Sequence, residues 1–109
     1  METVLSEHLP NDPFGQGITG TGSVHIPAPS SAQGKWLSLG GIRVWYPGPA
    51  GGSGTLQVSV GGKVILKKDV EDAFHWAWFA GHQAGLGESI LVTCPGAEIW
   101  VSASQHRLG

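Results

Sequence analysis

Ala97-Glu98-Ile99-Trp100-Val101-Ser102-Ala103-Ser104 alternates without a break. Ala97, Ile99, Val101 and Ala103 make one row, and Glu98, Trp100, Ser102 and Ser104 the other. Successive side chains of a strand point to opposite faces, so this period reads as a β-strand with one face on a core. A helix would return its apolar residues every three or four positions, and no stretch of the chain does so beyond a turn or two.

The same rhythm extends upstream. Glu88–Cys94 puts Ile90, Val92 and Cys94 on one face and Leu91 on the other, with Pro95-Gly96 as the turn that follows. Thr55–Val60 turns Leu56, Val58 and Val60 inward and Thr55, Gln57 and Ser59 outward. Gly61-Gly62-Lys63 then reads as a three-residue turn pairing Val60 with Val64 and Val58 with Leu66; a two-residue turn would set Gln57 against Leu66. Lys35–Tyr46 is the longest strand candidate. Its apolar positions change phase across Gly40-Gly41, from Leu37 and Leu39 to Ile42, Val44 and Tyr46, which a β-bulge at a positive-φ glycine would explain. With that correction Trp36, Arg43 and Trp45 project from the outer face. Ser23–Ile26 is a short first strand, and Asp69–Asp72 is an acidic turn.

These elements predict an all-β chain, an antiparallel β-sandwich of jelly-roll type with seven to eight short strands. A parallel sheet would need crossover helices, for which there is no room. Residues 1–21 show neither period and are expected to form an extended N-terminal arm or linker, leaving 22–109 as the sandwich domain. Val4, Leu5, Leu9, Phe14 and Ile18 would be the arm's apolar anchors on a neighbouring surface.

Phe74-His75-Trp76-Ala77-Trp78-Phe79 concentrates four of the nine aromatic rings. The remaining strands supply a core of small Val, Ile, Leu and Ala side chains, among them Ile90, Val92, Ile99 and Val101. Phe74, Trp76 and Trp78 are therefore expected to be the main core filler, with Trp76→Ala costing about 3–5 kcal/mol. Trp36, Trp45 and Trp100 fall on the faces opposite their strands' core positions. They are either covered by loops, or part of a subunit or partner interface together with Arg43, or a platform for stacking sugars.

Composition narrows the chemistry. The chain has 109 residues, 18 of them Gly, with 13% charged residues and a formal net charge of −2. That length makes one modest domain, and phosphate binding needs a basic field the chain lacks, so no nucleic-acid partner is expected. No apolar run is long enough to span a bilayer as a helix, so no membrane partner is expected, and the N-terminus lacks the pattern of a secretory signal. Cys94 has no partner for a disulfide or a CxxC site and reads as a small buried apolar residue. His75, His82 and Glu88 resemble cupin ligands only loosely, without the His-x-His pair, so no metal or other cofactor is expected. Acids cluster on one turn and no serine sits in a nucleophile-elbow context, so no catalytic residues and no enzyme activity are expected.

One resemblance runs through residues 22–105. Ser23-Val24-His25-Ile26-Pro27-Ala28-Pro29, Gly34-Lys35-Trp36-Leu37, Gly54-Thr55-Leu56-Gln57-Val58-Ser59-Val60, Gly85-Leu86-Gly87-Glu88-Ser89-Ile90-Leu91-Val92 and Ala97-Glu98-Ile99-Trp100-Val101-Ser102 carry it. In this spacing of strands and glycines the chain is similar to the small β-sandwich domains of tailed-bacteriophage virion proteins, including capsid decoration, minor capsid and fibre proteins. The resemblance implies a non-enzymatic structural protein on the capsid surface of the virion. It would oligomerise, a homotrimer being favoured, and stabilise the head shell by binding the major capsid protein. The alternative it implies is a carbohydrate- or receptor-binding module of a tail or fibre.

Overall fold

The computed structural model describes residues 2–3, 16–29, 32, 34–47, 52–71 and 75–107, of which 2, 3, 16 and 75–81 are described by backbone alone. Seven strands make up this part: β1 (Glu2–Thr3), β2 (Gln16–Ile26), β3 (Lys35–Trp45), β4 (Ser53–Val60), β5 (Lys63–Glu71), β6 (His75–Gln83) and β7 (Ile90–Arg107). Every pairing is antiparallel except that of β1 with β2, and the sheet curls into a half-barrel. The all-β antiparallel architecture expected from the alternation is the one present.

The organising strand is β7, 18 residues long. Along one side it pairs with β2. Along the other it pairs first with β4, through Ile90–Thr93, and then with β3, from Glu98 to Arg107. The change of partner occurs at Pro95-Gly96. Proline has no N–H to give to a ladder, and Gly96 adopts φ of 77°, a left-handed conformation that side chains disfavour. The expected turn is thus a bend within one strand. Opposite it, Gly22 in β2 has φ of 79°. The register passes from Thr21↔Glu98 to Ser23↔Thr93, so Cys94–Ala97 bow out against Gly22 alone. Two bent strands are shared by two sheet segments, β5-β4-β7-β2-β1 and β6-β3-β7-β2, the arrangement by which strands turn a corner around a core.

The core face follows the alternation. Leu37, Leu39, Ile42 and Val44 from β3, Leu56, Val58 and Val60 from β4, and Ile90, Val92, Cys94, Ala97, Ile99, Val101 and Ala103 from β7 are all buried. The β3 bulge lies where the phase changes, between Leu39 and Ile42 in the pairing with β7. Gly40 is needed there for space rather than for positive φ. Gly40 is absent from the left-handed glycines, and a Cβ on it would lie 2.5 Å from Ser102 Oγ.

Four expectations are corrected. The arm boundary moves, because Gln16–Thr21 pair with β7 from Ala103 to Glu98; Ile18, expected as an arm anchor, is buried in the core beside Val101. Val4, Leu5, Leu9 and Phe14 lie outside the described residues. The β4–β5 hairpin is a two-residue turn, with Gly61 and Gly62 at φ of 60° and 80°, the signature of a type I′ turn. Val60 therefore pairs with Lys63, and a bulge between Val58 and Ser59 restores the expected Val58↔Leu66; Val64 is left 46% exposed. Asp69–Glu71 belong to β5 rather than to a turn.

The fourth concerns the aromatic segment. Phe74 lies outside the described residues. Trp76 and Trp78 pair with Arg43 and Gly41, whereas Ile42 and Val44, both buried in the core, pair with Ala77 and His75. Directly opposed residues of an antiparallel ladder share a face, so the core-face positions of β6 are those of His75 and Ala77. The core is filled instead by aliphatic residues on both sides of β7, including the expected Ile90, Val92, Ile99 and Val101.

Candidate interaction face

Three sequence-predicted tryptophans and Arg43 come together on the outer face of the β6-β3-β7-β2 layer. The pairing Arg43↔Trp100 sets them side by side on neighbouring strands, although 57 positions separate them in sequence (100 − 43). The Arg43 guanidinium lies over the Trp100 ring at 4.8 Å from its centroid, within range of a cation–π interaction. On the opposite side of β7, a Cβ at Gly17 would collide with the Trp100 indole nitrogen, so glycine is what lets the ring lie across β2. Trp45 pairs with Glu98, whose Oε1 accepts a 3.0 Å hydrogen bond from Thr21 Oγ1.

At the other end of the same face, Trp36 stacks on His106, with ring centroids 4.4 Å apart and planes 21° from parallel. His106 Nε2 and Ser104 Oγ are 3.0 Å apart. Between the two aromatic ends the residues are small: Ser38, Gly40, Ser102 and Ser104, all buried. Trp36, Trp45 and Trp100 are half-buried and Arg43 is exposed. Two of the indoles are thus braced, Trp36 by His106 and Trp100 by Arg43, and the small residues between the ends are covered. The face has the aromatic and arginine content enriched at the centres of protein interfaces.

Other polar groups are committed to holding loops. Glu88 Oε1 accepts from the Gly85 N–H, and its carboxylate fills the space beside Gly61. With Gly61 N–H donating to the Ser89 carbonyl at 2.8 Å, Glu88 ties the hairpin tip to the loop before β7. A shallow groove of about 280 Å³ runs along Ser53–Thr55 and Asp69–Glu71, but Asp69 already accepts from Thr55 Oγ1 at 3.0 Å. Among the described residues no three His, Cys, Asp or Glu side chains converge on a point that could hold a metal ion.

Tyr46 closes the end of the core where β7 bends. Its hydroxyl is 3.4 Å from Cys94 Sγ and 3.4 Å from the Pro95 carbonyl, to which it donates. The ring occupies a slot that Gly52 and Gly54 leave open, and Cys94 is buried as expected. Burial first, and then the hydrogen bond to Cys94, pushes the phenol up to about 12 from 10.0. The folded chain thus holds this proton more tightly than the unfolded one. Its contribution to stability is complete below pH 10 and disappears as pH rises toward 12. Spectrophotometric titration should show tyrosinate appearing near pH 12 in the native protein and near pH 10 in urea; a native midpoint near 10 would contradict the pin.

No protein-family model matches the chain, and no curated protein matches it. Among solved structures it is similar to the insecticidal δ-endotoxin Cry8Ea1 of Bacillus thuringiensis, at 13% identity and a TM-score of 0.37, covering 87% of this chain and 20% of that one. It is also similar to a cycloisomaltooligosaccharide glucanotransferase of Paenibacillus sp., at 13% identity and a TM-score of 0.32, covering 85% of this chain and 13% of that one. The chain thus spans a fifth or less of the length of either protein.

Proposed function

We propose that this chain is a non-enzymatic structural protein of a phage virion, a capsid decoration or minor capsid protein that self-associates and binds the assembled head shell. The observation that carries the reading is the placement of Trp36, Trp45, Trp100 and Arg43 on one face of one layer, with the three indoles half-buried, Trp36 stacked on His106 and Trp100 under Arg43. An aromatic face with one arginine has the composition of a protein-binding surface, and the major capsid protein is the partner this reading assigns to it. The strand rhythm shared with phage virion sandwiches supports the location, and a homotrimer is the assembly that resemblance favours. The role would be thermodynamic: a protein that binds the assembled shell and not its free subunits stabilises the shell by mass action.

The test is co-sedimentation of the purified protein with phage heads, emptied shells and tails. Binding to shells is expected, and Trp100→Ala should weaken it by about 30-fold or more, the loss of a central aromatic anchor. Binding to tails alone, or glycan binding that quenches tryptophan fluorescence, would overturn the proposal in favour of a receptor-binding module.

A further inference from the structure

Three long stretches of strand edge have no partner among the described residues: the outer edges of β5 and β6, and Gln16–Thr21 of β2. They differ sharply in charge. Strand β5 carries Lys63, Lys67, Lys68, Asp69 and Glu71, five charges in nine residues. Neither β6 nor Gln16–Thr21 contains an Asp, Glu, Lys or Arg. Charged side chains are a common guard against edge-to-edge pairing. The chain therefore guards the edge in one sheet segment and leaves unguarded the two that end the other, β2-β7-β3-β6.

We infer that these two edges pair with each other between copies, β6 of one chain extending its sheet along Gln16–Thr21 of the next. Strand directions in the layer alternate over four strands, so β2 and β6 run oppositely. A copy related by rotation about an axis along the strands then brings its β2 antiparallel to β6, and the alternation continues across the junction. Such a head-to-tail contact closes as a ring, of two copies where two half-barrels complete each other and of more where the sheet opens wider, and the tryptophan face of each copy joins that of its neighbour in one outer belt. A foreign strand is not needed, because each chain carries both halves of the contact. This pairing rests on the assembly role proposed above, yet it is read in the free protein, so its failure would leave shell binding standing.

The experiment places a guard on each edge: Trp78→Lys in β6 and Thr19→Lys, at an exposed position of β2. Light scattering should give two or more chain masses for the wild type and one for each folded variant. An equal mixture of the two should form a 1:1 dimer and stop there, because only one intact β6 and one intact β2 edge remain in each pair. If Trp78→Lys does not fold, His82→Lys at an exposed position serves instead. A monomeric wild type, or variants that keep the wild-type mass, would overturn the pairing. So would a dimer formed by Thr19→Lys alone, which would mean that β6 pairs with itself.

Discussion

Ile99→Ala should destabilise the fold by about 2–5 kcal/mol, the range for removing a buried aliphatic side chain. Ile99 is fully buried and sits on β7, the strand that both sheet segments share. Its paired neighbours are Val44 on β3 and Gly20 on β2. Gly20 has no side chain to move into the gap, so little of the cavity can be refilled and the cost should lie in the upper part of the range. Against a total stability of about 5–15 kcal/mol for a domain, this leaves a marginal fold. Urea unfolding should show a lower midpoint with an unchanged slope, the mark of lost stability without a changed denatured state. A midpoint within error of the wild type would mean that β7 is not the packing centre.

Gly40→Val should cost about 1–3 kcal/mol by overpacking. A Cβ at this position would lie 2.5 Å from Ser102 Oγ, 3.3 Å from the Ser102 carbonyl oxygen and 3.4 Å from its Cβ. The hydroxyl can rotate, but the carbonyl belongs to β7 and is held by its ladder, so the two strands must part at the bulge. The double variant Gly40→Val, Ser102→Gly should recover part of the loss, because it removes the nearest atom and leaves the carbonyl. A cycle of the four proteins in urea measures that coupling. Additive losses would show that the glycine serves backbone conformation and not close approach.

Most of the inward and outward assignment was legible from alternation alone. Leu37 and Leu39 before the Gly40-Gly41 phase change, and Ile42 and Val44 after it, are all buried. The bulge was predicted from that change, since a period of two leaves a clear trace when one residue is inserted. The hairpin was half legible. Val58↔Leu66 followed from the hydrophobic pattern, but a tight turn with a bulge reaches the same pairing as a longer turn. The pattern cannot tell a bulge beyond the turn from a residue within it.

In the aromatic segment alternation alone does not decide which face is inward. Trp76 and Trp78 alternate with His75 and Ala77, and size suggested that the larger set fills the core. Register decides this instead, by setting Trp76 against Arg43. The candidate face was legible one strand at a time, as Trp36, Arg43 and Trp45 on one strand and Trp100 on another. That they form a single face depends on β3 and β7 being neighbours. The stack of His106 on Trp36 had no sequence signal, because it joins residues far apart in the chain, and the slot that Gly52 and Gly54 leave for Tyr46 depends on how the intervening chain folds back.

The amino-acid sequence by itself determined the period of two and the inward faces of the aliphatic strands β3, β4 and β7, because these follow from the local geometry of successive residues. Only the tertiary structure decided that Ala97–Ser104, the eight residues with the clearest alternation, continue a strand that begins at Ile90 and borders both sheet segments. Pro95-Gly96 can end a strand or bend it, and local chemistry favours both equally. Which one occurs depends on the hydrogen-bonding partners waiting on the far side, β2 along one edge and β3 along the other.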